Sequence, residues 1–296
     1  MIMKHSIKQL WLAMRPWSFP VSVAPVVLTA AFLKASGIDI SYGMTLWTLW
    51  GIVLFHAAGN LFSDYFDFRK GVDTDPAVGS ATITGGLLTA RETMIFACIM
   101  LALACVCGIG LMCAVGWPLL IFGLLGASLV VAYPWLKFHA LGDLDILLTF
   151  GVLPTLGTAF VLTGRLDWTS LWITPTFATI TMAVLHANNT RDTVRDSHAH
   201  IHTFAMLIGL RASQWVYYVE EWLPLLWVII CVLTAHLHWS MILFVVPAAV
   251  LALRNTRVMK GASHGDNIDT LDQFTAQHQL INTVCLLVGM LLSLLW

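Results

Sequence analysis

The stretch from His56 to Lys70, HAAGNLFSDYFDFRK, closes an apolar run that begins near Met44 and ends it in a burst of charge. A helix long enough to cross a bilayer therefore finishes here on polar ground. Within it, Asn60, Asp64 and Asp67 stand at i, i+4 and i+7, and at about 100° per residue they share one face of the helix. A second stretch, HANNTRDTVRDSHAH from His186 to His200, places Asn188, Asp192 and Asp196 at i, i+4 and i+8, again on one face within about 80° of arc. The two segments read as an internal repeat. They imply a single domain over residues 1–296 built from pseudo-repeated halves, approximately 1–140 and 141–296, with one site between them.

The rest of the chain supports a membrane setting. Hydrophobic residues make up 58%, charged residues 10%, and the mean hydropathy is +0.82, outside the range of soluble domains. A net charge of −1 supplies no basic patch for nucleic acid. The six cysteines lie in apolar runs without CxxC spacing and read as small hydrophobes. Spans are expected to start near Trp17, Met44, Thr93, Trp117, Asp145, Trp168, Ser213, Trp239 and Gln277, with Gly116-Trp117-Pro118 and His236–His238 as breaks. The expected fold is an all-α polytopic bundle of about nine transmembrane helices with its termini on opposite sides. With the N-terminus inside, every Lys and Arg except Lys34 and Arg165 falls on the cytoplasmic face, as the positive-inside rule requires. The loops after spans two, four, six and eight hold most of the acidic residues. The chemistry is therefore expected on the cytoplasmic side of an inner (cytoplasmic) membrane. Span seven is interrupted by Glu220 and Glu221, which are costly in hydrocarbon unless they face protein or the interface.

Carboxylates gathered on one face repel, so a divalent cation is the expected partner. Oxygen donors that can share the ion with a phosphate favour Mg²⁺ over zinc. The alternative reading is of solvated helix ends paired with Arg69, Lys70, Arg191 and Arg195.

At these motifs the chain resembles the UbiA superfamily of intramembrane prenyltransferases. The stretch NLFSDYFDFRKGVDTD looks like the branch that attaches a polyprenyl chain to 1,4-dihydroxy-2-naphthoate in menaquinone biosynthesis. RPWSFPVSVAPV from Arg15, NNTRDTVRD from Asn188 and LDQFTAQHQL from Leu271 agree in order. The resemblance implies a nine-helix bundle with a central cavity open sideways to lipid. It assigns Asp64, Asp67, Asp192 and Asp196 to a Mg²⁺-diphosphate site with Asn60, and sets Asn188 and Arg191 beside it. Asp73 matches a further acidic position. The chain departs from the superfamily in VGSATITGG, which lacks an Arg-Pro common in other branches, and in SHAHIHT, which has histidines where a basic residue is usual.

The implied reaction transfers a polyprenyl group from an allylic diphosphate to an aromatic acceptor. Lys70, Arg191 and Lys137 are candidate contacts to substrate, and Tyr65, Phe66, Tyr133 and Trp135 are candidate walls that steady an allylic cation, against which stands ordinary packing or interfacial anchoring for any one of them in a chain with 13 Trp and 15 Phe. Asp143 and Asp145 read as either loop residues near the site or helix caps. His198, His200 and His202 lack a fourth zinc ligand at suitable spacing. Asp266, Asp269 and Asp272 read as a solvated loop, although Asp272 and His278 also match the superfamily. Two other readings stay open: a different acceptor (a phenol, a tetrapyrrole or a lipid alcohol), or a transporter, since repeated halves and intramembrane Asp residues occur there too.

Overall fold

The computed structural model describes residues 5–71, 81–198, 201–262 and 268–295, with all side chains in these ranges except that of Phe244. Lys4, Asp73, His200 and Asp266 lie outside the described residues.

Thirteen α-helices make up the described chain: α1 (Ile7–Ala13), α2 (Pro20–Ala35), α3 (Tyr42–Lys70), α4 (Ala90–Val115), α5 (Leu119–Phe138), α6 (Gly142–Leu147), α7 (Leu153–Thr163), α8 (Pro175–Arg191), α9 (Thr193–His198), α10 (Phe204–Ile208), α11 (Leu210–Leu233), α12 (Val245–Lys260) and α13 (Leu271–Ser293). Local chemistry sets many of the ends. Ser6 with Gln9 and Thr89 with Glu92 form reciprocal capping boxes before α1 and α4. The side chain of Ser41 caps α3, and Gly71 ends it in the left-handed region at φ 73°, where a Cβ is penalised. Gly116 and Pro118 separate α4 from α5, as their sequence spacing predicts. A π-helical turn over Leu148–Val152 joins α6 to α7 into one span.

Among the described residues, eight helical segments are long and apolar enough to cross a membrane. The ninth expected span is α8. It is 17 residues long and rich in buried polar groups, including Thr176, Thr181, His186, Asn189 and Thr190, so length and hydropathy alone pass over it. The ends of the helices show that it crosses nonetheless. Arg15, just before α2, pairs with Asp64 late in α3; Lys137 late in α5 pairs with Asp67; His186 late in α8 meets Asp143 at the start of α6; Arg191 at the end of α8 pairs with Asp272 at the start of α13. Late α12 joins the same side, because Arg254 donates to Gln277 Oε1 of α13 at 2.8 Å. Chain that leaves this side along α6–α7 and returns to it at Arg191 must traverse the bundle in α8. Among the described residues about nine crossings result, and this is a multi-pass membrane protein.

Packing explains why α8 tolerates its polarity. Its flanks carry Phe177 and Ala178 into a core with Leu28 of α2, Val228 of α11 and Leu286 of α13, and Ala183 and Ala187 into another with Tyr217, Met259 and Leu271. By contrast, α4 and α5 turn large apolar residues outward, among them Ile95, Ile99, Leu103, Val106, Leu120 and Leu124, a face suited to lipid. A core of Ala57, Leu61, Phe96, Met100 and Val130 ties α3, α4 and α5 together. Glu220 and Glu221, doubtful within a span by sequence, are both buried against protein. Glu221 accepts from Asn255 Nδ2 of α12 at 3.3 Å and lies 2.8 Å from His278 Nδ1 of α13. Tyr217 of α11 and Thr275 of α13 share a 2.6 Å hydrogen bond beside it.

Candidate functional site

The predicted face of α3 is oriented by its first residue. Asn60 Nδ2 donates to Met14 O at 2.9 Å and to Ser18 Oγ at 3.0 Å, which fixes the turn before α2 against α3. In that turn Arg15 adopts a left-handed conformation at φ 55°, a costly geometry for a residue with a Cβ. It brings the guanidinium onto buried Asp64 as an ion pair. One α3 turn on, Asp67 Oδ2 accepts from Ser63 Oγ at 3.2 Å and pairs with Lys137 Nζ at 3.4 Å. Its Oδ1 is buried without a hydrogen-bond partner among the described residues.

The second motif is braced by cations in the same way. Arg191 Nε and Nη2 donate to the two oxygens of Asp192 at 2.8 and 3.0 Å, and Nη2 also reaches Asn188 Oδ1 at 2.9 Å. Nη1 pairs with Asp272 at 3.1 Å, and Arg195 closes on Asp192 at 2.5 Å. Asp196, in the short α9 beyond the span, is buried. Burial pushes its carboxyl up to about 6, and the charges that act on it are those of Lys137, Asp192, Arg195 and Asp67. The two motifs therefore meet electrostatically, with Lys137 from α5 between them.

Two cavities lie below this array. One of 200 Å³ is lined by Arg15, His56, Asn60, Tyr133, Asp145, Phe150 and Asn188, among others. The second, of 340 Å³, is apolar and runs between α3, α4, α5 and α7. Ile52, Phe55, Val130 and Thr149 belong to both walls, so the polar chamber continues into the apolar one. Ile109, Leu120 and Leu124 line the larger cavity and also stand on the exposed outer face, which opens it sideways between α4 and α5.

The arrangement suits a divalent ion shared with an anion. Its donors are carboxylate and amide oxygens, and buried carboxylate oxygens of Asp67 and Asp272 have no hydrogen-bond partner among the described residues. Mg²⁺ takes such hard donors, and Asp64, Asp67, Asp192 and Asp196 with Asn60 and Asn188 are the residues that could hold it. Arg15, Lys137, Arg191 and Arg195 flank the same carboxylates and are suited to a diphosphate.

Other predicted residues lie elsewhere. Lys70 is exposed in the last turn of α3. Tyr65 is half-buried and packs edge-on against Phe66 at 5.3 Å, and Trp135 is 59% exposed with its ring 4.4 Å from His139. Of the four aromatic candidates, only Tyr133 lines the polar cavity; Phe55 and Phe150 take the expected places of the others. His198 and His202 are exposed. Asp272, read first as part of a solvated loop, instead holds Arg191.

His56 was not foreseen, although it stands four residues before Asn60 and extends the same face by one turn. Ser18 Oγ donates to Arg15 O at 2.8 Å, accepts from Asn60 and lies 3.1 Å from His56 Nε2. Ser22 Oγ, which donates to Phe19 O at 3.2 Å, lies 2.8 Å from Nδ1, so both ring nitrogens of His56 meet a hydroxyl at the start of α2.

Comparison with known proteins gives a consistent result. Residues 23–294 match the model of the UbiA prenyltransferase family. UbiA prenyltransferase domain-containing protein 1 of Ailuropoda melanoleuca is 33% identical over 290 residues, covering 95% of this chain and 83% of that protein. The human protein of that name is 32% identical with the same coverage. Among solved structures, the apo UbiA homolog from Aeropyrum pernix K1 superposes with a TM-score of 0.71 at 13% identity, over 93% of this chain and 97% of that one. The Archaeoglobus fulgidus homolog bound to DMAPP and Mg²⁺ gives 0.69 at 13% identity, over 96% and 98%. The names of the matched relatives state a domain and not an acceptor, so they carry the resemblance to prenyltransferases without its naphthoate branch.

Proposed function

The chain belongs to the UbiA prenyltransferase family, and from that premise we propose that it transfers a polyprenyl group from an allylic polyprenyl diphosphate to an aromatic acceptor, 1,4-dihydroxy-2-naphthoate in menaquinone biosynthesis. The observation that carries the reading is the convergence of Asp64, Asp67, Asp192 and Asp196 with four cationic side chains above a polar cavity that runs into an apolar one. A molecule with a diphosphate head and a hydrocarbon tail has the same two-part chemistry. The DMAPP and Mg²⁺ bound to the Archaeoglobus fulgidus homolog support the same donor class here.

In the proposed reaction Arg15, Lys137, Arg191 and Arg195 hold the diphosphate by charge-assisted hydrogen bonds. Mg²⁺ bound among the Asp residues would neutralise the negative charge that grows on the leaving group. As the allylic C–O bond breaks, the bonding pair leaves with the diphosphate, and the apolar walls keep water from the carbocation. The Tyr133 ring stands at the cavity wall to offer its π face. An electron-rich ring carbon of the acceptor then forms the C–C bond with the carbocation, and the ring recovers its aromaticity as that carbon loses its own substituent, a proton or, at the carboxylate-bearing carbon, CO2. The site lies on the cytoplasmic side of an inner membrane, a proposal supported by the distribution of Lys and Arg.

The test is prenyl transfer by purified protein, using radiolabelled polyprenyl diphosphate with dihydroxynaphthoate, a phenol and a lipid alcohol in parallel. Asp64→Asn and Asp192→Asn are each expected to lower turnover by about 100- to 1000-fold while leaving membrane insertion intact. Full activity in either variant sinks the site. Transfer to the phenol or lipid alcohol, with none to the naphthoate, keeps the site and rejects the acceptor.

A further inference from the structure

On the other side of α8, away from the cavity, stands a second group of ionisable side chains. Asp143 of α6, His186 of α8 and Glu220 of α11 each offer a ligand atom, all within 4.8 Å of one another. They are 7%, 0% and 5% exposed. His186 is displaced about 200° around the helix from Asn188, so this group backs onto protein; none of the three lines the polar cavity.

The hydrogen bonding of the group is incomplete in a specific way. His186 Nε2 lies 3.2 Å from the carbonyl of Ser213, which can only accept, so this nitrogen carries the hydrogen. In neutral His186 the lone pair is then on Nδ1, and Nδ1 faces Asp143 Oδ1 at 3.3 Å. Two acceptors confront each other there and need something electropositive between them. Asp143 Oδ2 and Glu220 Oε2 are buried with no hydrogen-bond partner among the described residues. Among the described residues Asp143 pairs with His186 alone, no Lys or Arg pairs with either carboxylate, and neighbouring Glu221 is occupied with His278. Two buried carboxylates without a counter-ion are severely destabilising.

We propose that Asp143, His186 and Glu220 form a divalent transition-metal site, distinct from the diphosphate site, that takes Mn²⁺ or Zn²⁺. An imidazole with two carboxylates favours such ions over Mg²⁺, which prefers oxygen donors throughout. Binding at about 2.1 Å from each donor needs only small side-chain rotations to draw the three atoms together. The ion neutralises both carboxylates and takes up the Nδ1 lone pair. It also clamps α6 and α11 onto the rear of α8, whose other face presents Asn188 and whose end carries Asp192. The site is thus a cross-brace for the second Asp motif.

The test uses the full chain in detergent with no substrate, so its outcome is separate from that of the prenyl-transfer reading. The protein is stripped with chelator, reloaded with Mn²⁺ or Zn²⁺ under saturating Mg²⁺, desalted and analysed for metal by plasma mass spectrometry, and its melting is followed in parallel. Wild type and the Asp64→Asn/Asp192→Asn double variant are each expected to retain about one equivalent and to melt higher when loaded. Glu220→Gln and Asp143→Asn are expected to retain less than about a tenth of that and to melt at one temperature with or without metal. If these variants do not fold, the Mn²⁺ spectrum of wild type decides, since the proposed site couples the ion to an imidazole nitrogen. The proposal is overturned if wild type retains no transition metal and its melting ignores it, the result of a shared proton filling the gap. It is equally overturned if the metal is lost in the double variant and kept in Glu220→Gln, or if the Mn²⁺ spectrum shows no nitrogen coupling.

Discussion

Asp196 is a carboxyl that burial pushes up to about 6, and it belongs to the set proposed to hold Mg²⁺. Above that pH it is an anion able to ligate, and below it a proton occupies the same oxygen. The Mg²⁺ concentration for half-maximal activity is therefore expected to be flat above about pH 7 and to rise about tenfold per unit below pH 6. Asp196→Asn should remove this dependence, and an unchanged acid limb in that variant would contradict the assignment. Arg191 makes its contacts through a planar fork that reaches Asn188, Asp192 and Asp272 together, which an ammonium cannot reproduce. Arg191→Lys is expected to lower kcat/KM by roughly 100-fold through misplacement of Asp192, measured by steady-state transfer at saturating Mg²⁺. At this scale the sequence is unevenly informative. Asn60, Asp64 and Asp67 share a face because the helical period says so. Nothing local shows that Arg15 folds back onto Asp64 across a left-handed turn, or that Asp272 arrives from the last helix. Phe66 and Trp135 do not line the polar cavity, because aromatic identity does not say which way a helix is rotated in its bundle.

Elements extend the same lesson. The helix α8 is too short and too polar for hydropathy, yet a span starting near Trp168, seven residues before the helix itself, was legible from composition, and its crossing follows from the ion pairs at its ends. Its polarity is affordable because neighbours cover it on several sides. The π-helical turn Leu148–Val152 places Thr149 and Phe150 on the cavity wall just after Asp145, and no propensity marks it in advance; such turns recur at functional sites. Helices α11, α12 and α13 are fastened by Glu221, Asn255, His278, Tyr217 and Thr275, far along the chain from one another. His278→Ala leaves the Glu221 carboxylate buried without its ring partner and is expected to destabilise the protein by about 3–5 kcal/mol. Thermal melting in detergent checks this, and a melting temperature within a degree of wild type would show that the network contributes little.

At the scale of the whole molecule, nine crossings leave Arg15 and Ser293 on opposite sides. In a bacterial host, a C-terminal phosphatase fusion is expected to be active and a fluorescent-protein fusion dark, with the reverse result contradicting an N-terminus inside. Gly126 lines the apolar cavity, and a Cβ built on it meets nothing within 4 Å. Gly126→Leu fills that space and is expected to lower kcat/KM for a long polyprenyl diphosphate roughly 10- to 100-fold relative to dimethylallyl diphosphate. Equal losses for both donors would place the tail elsewhere. The lateral opening between α4 and α5 carries a kinetic consequence. A tail that enters from the bilayer is dissolved in two dimensions, so the quantity that fills the cavity is its mole fraction among lipids rather than its molarity in water. Diluting the bilayer with inert lipid at constant total substrate should slow the reaction in proportion, and a prenylated product would leave through the same opening into the bilayer without ever meeting water.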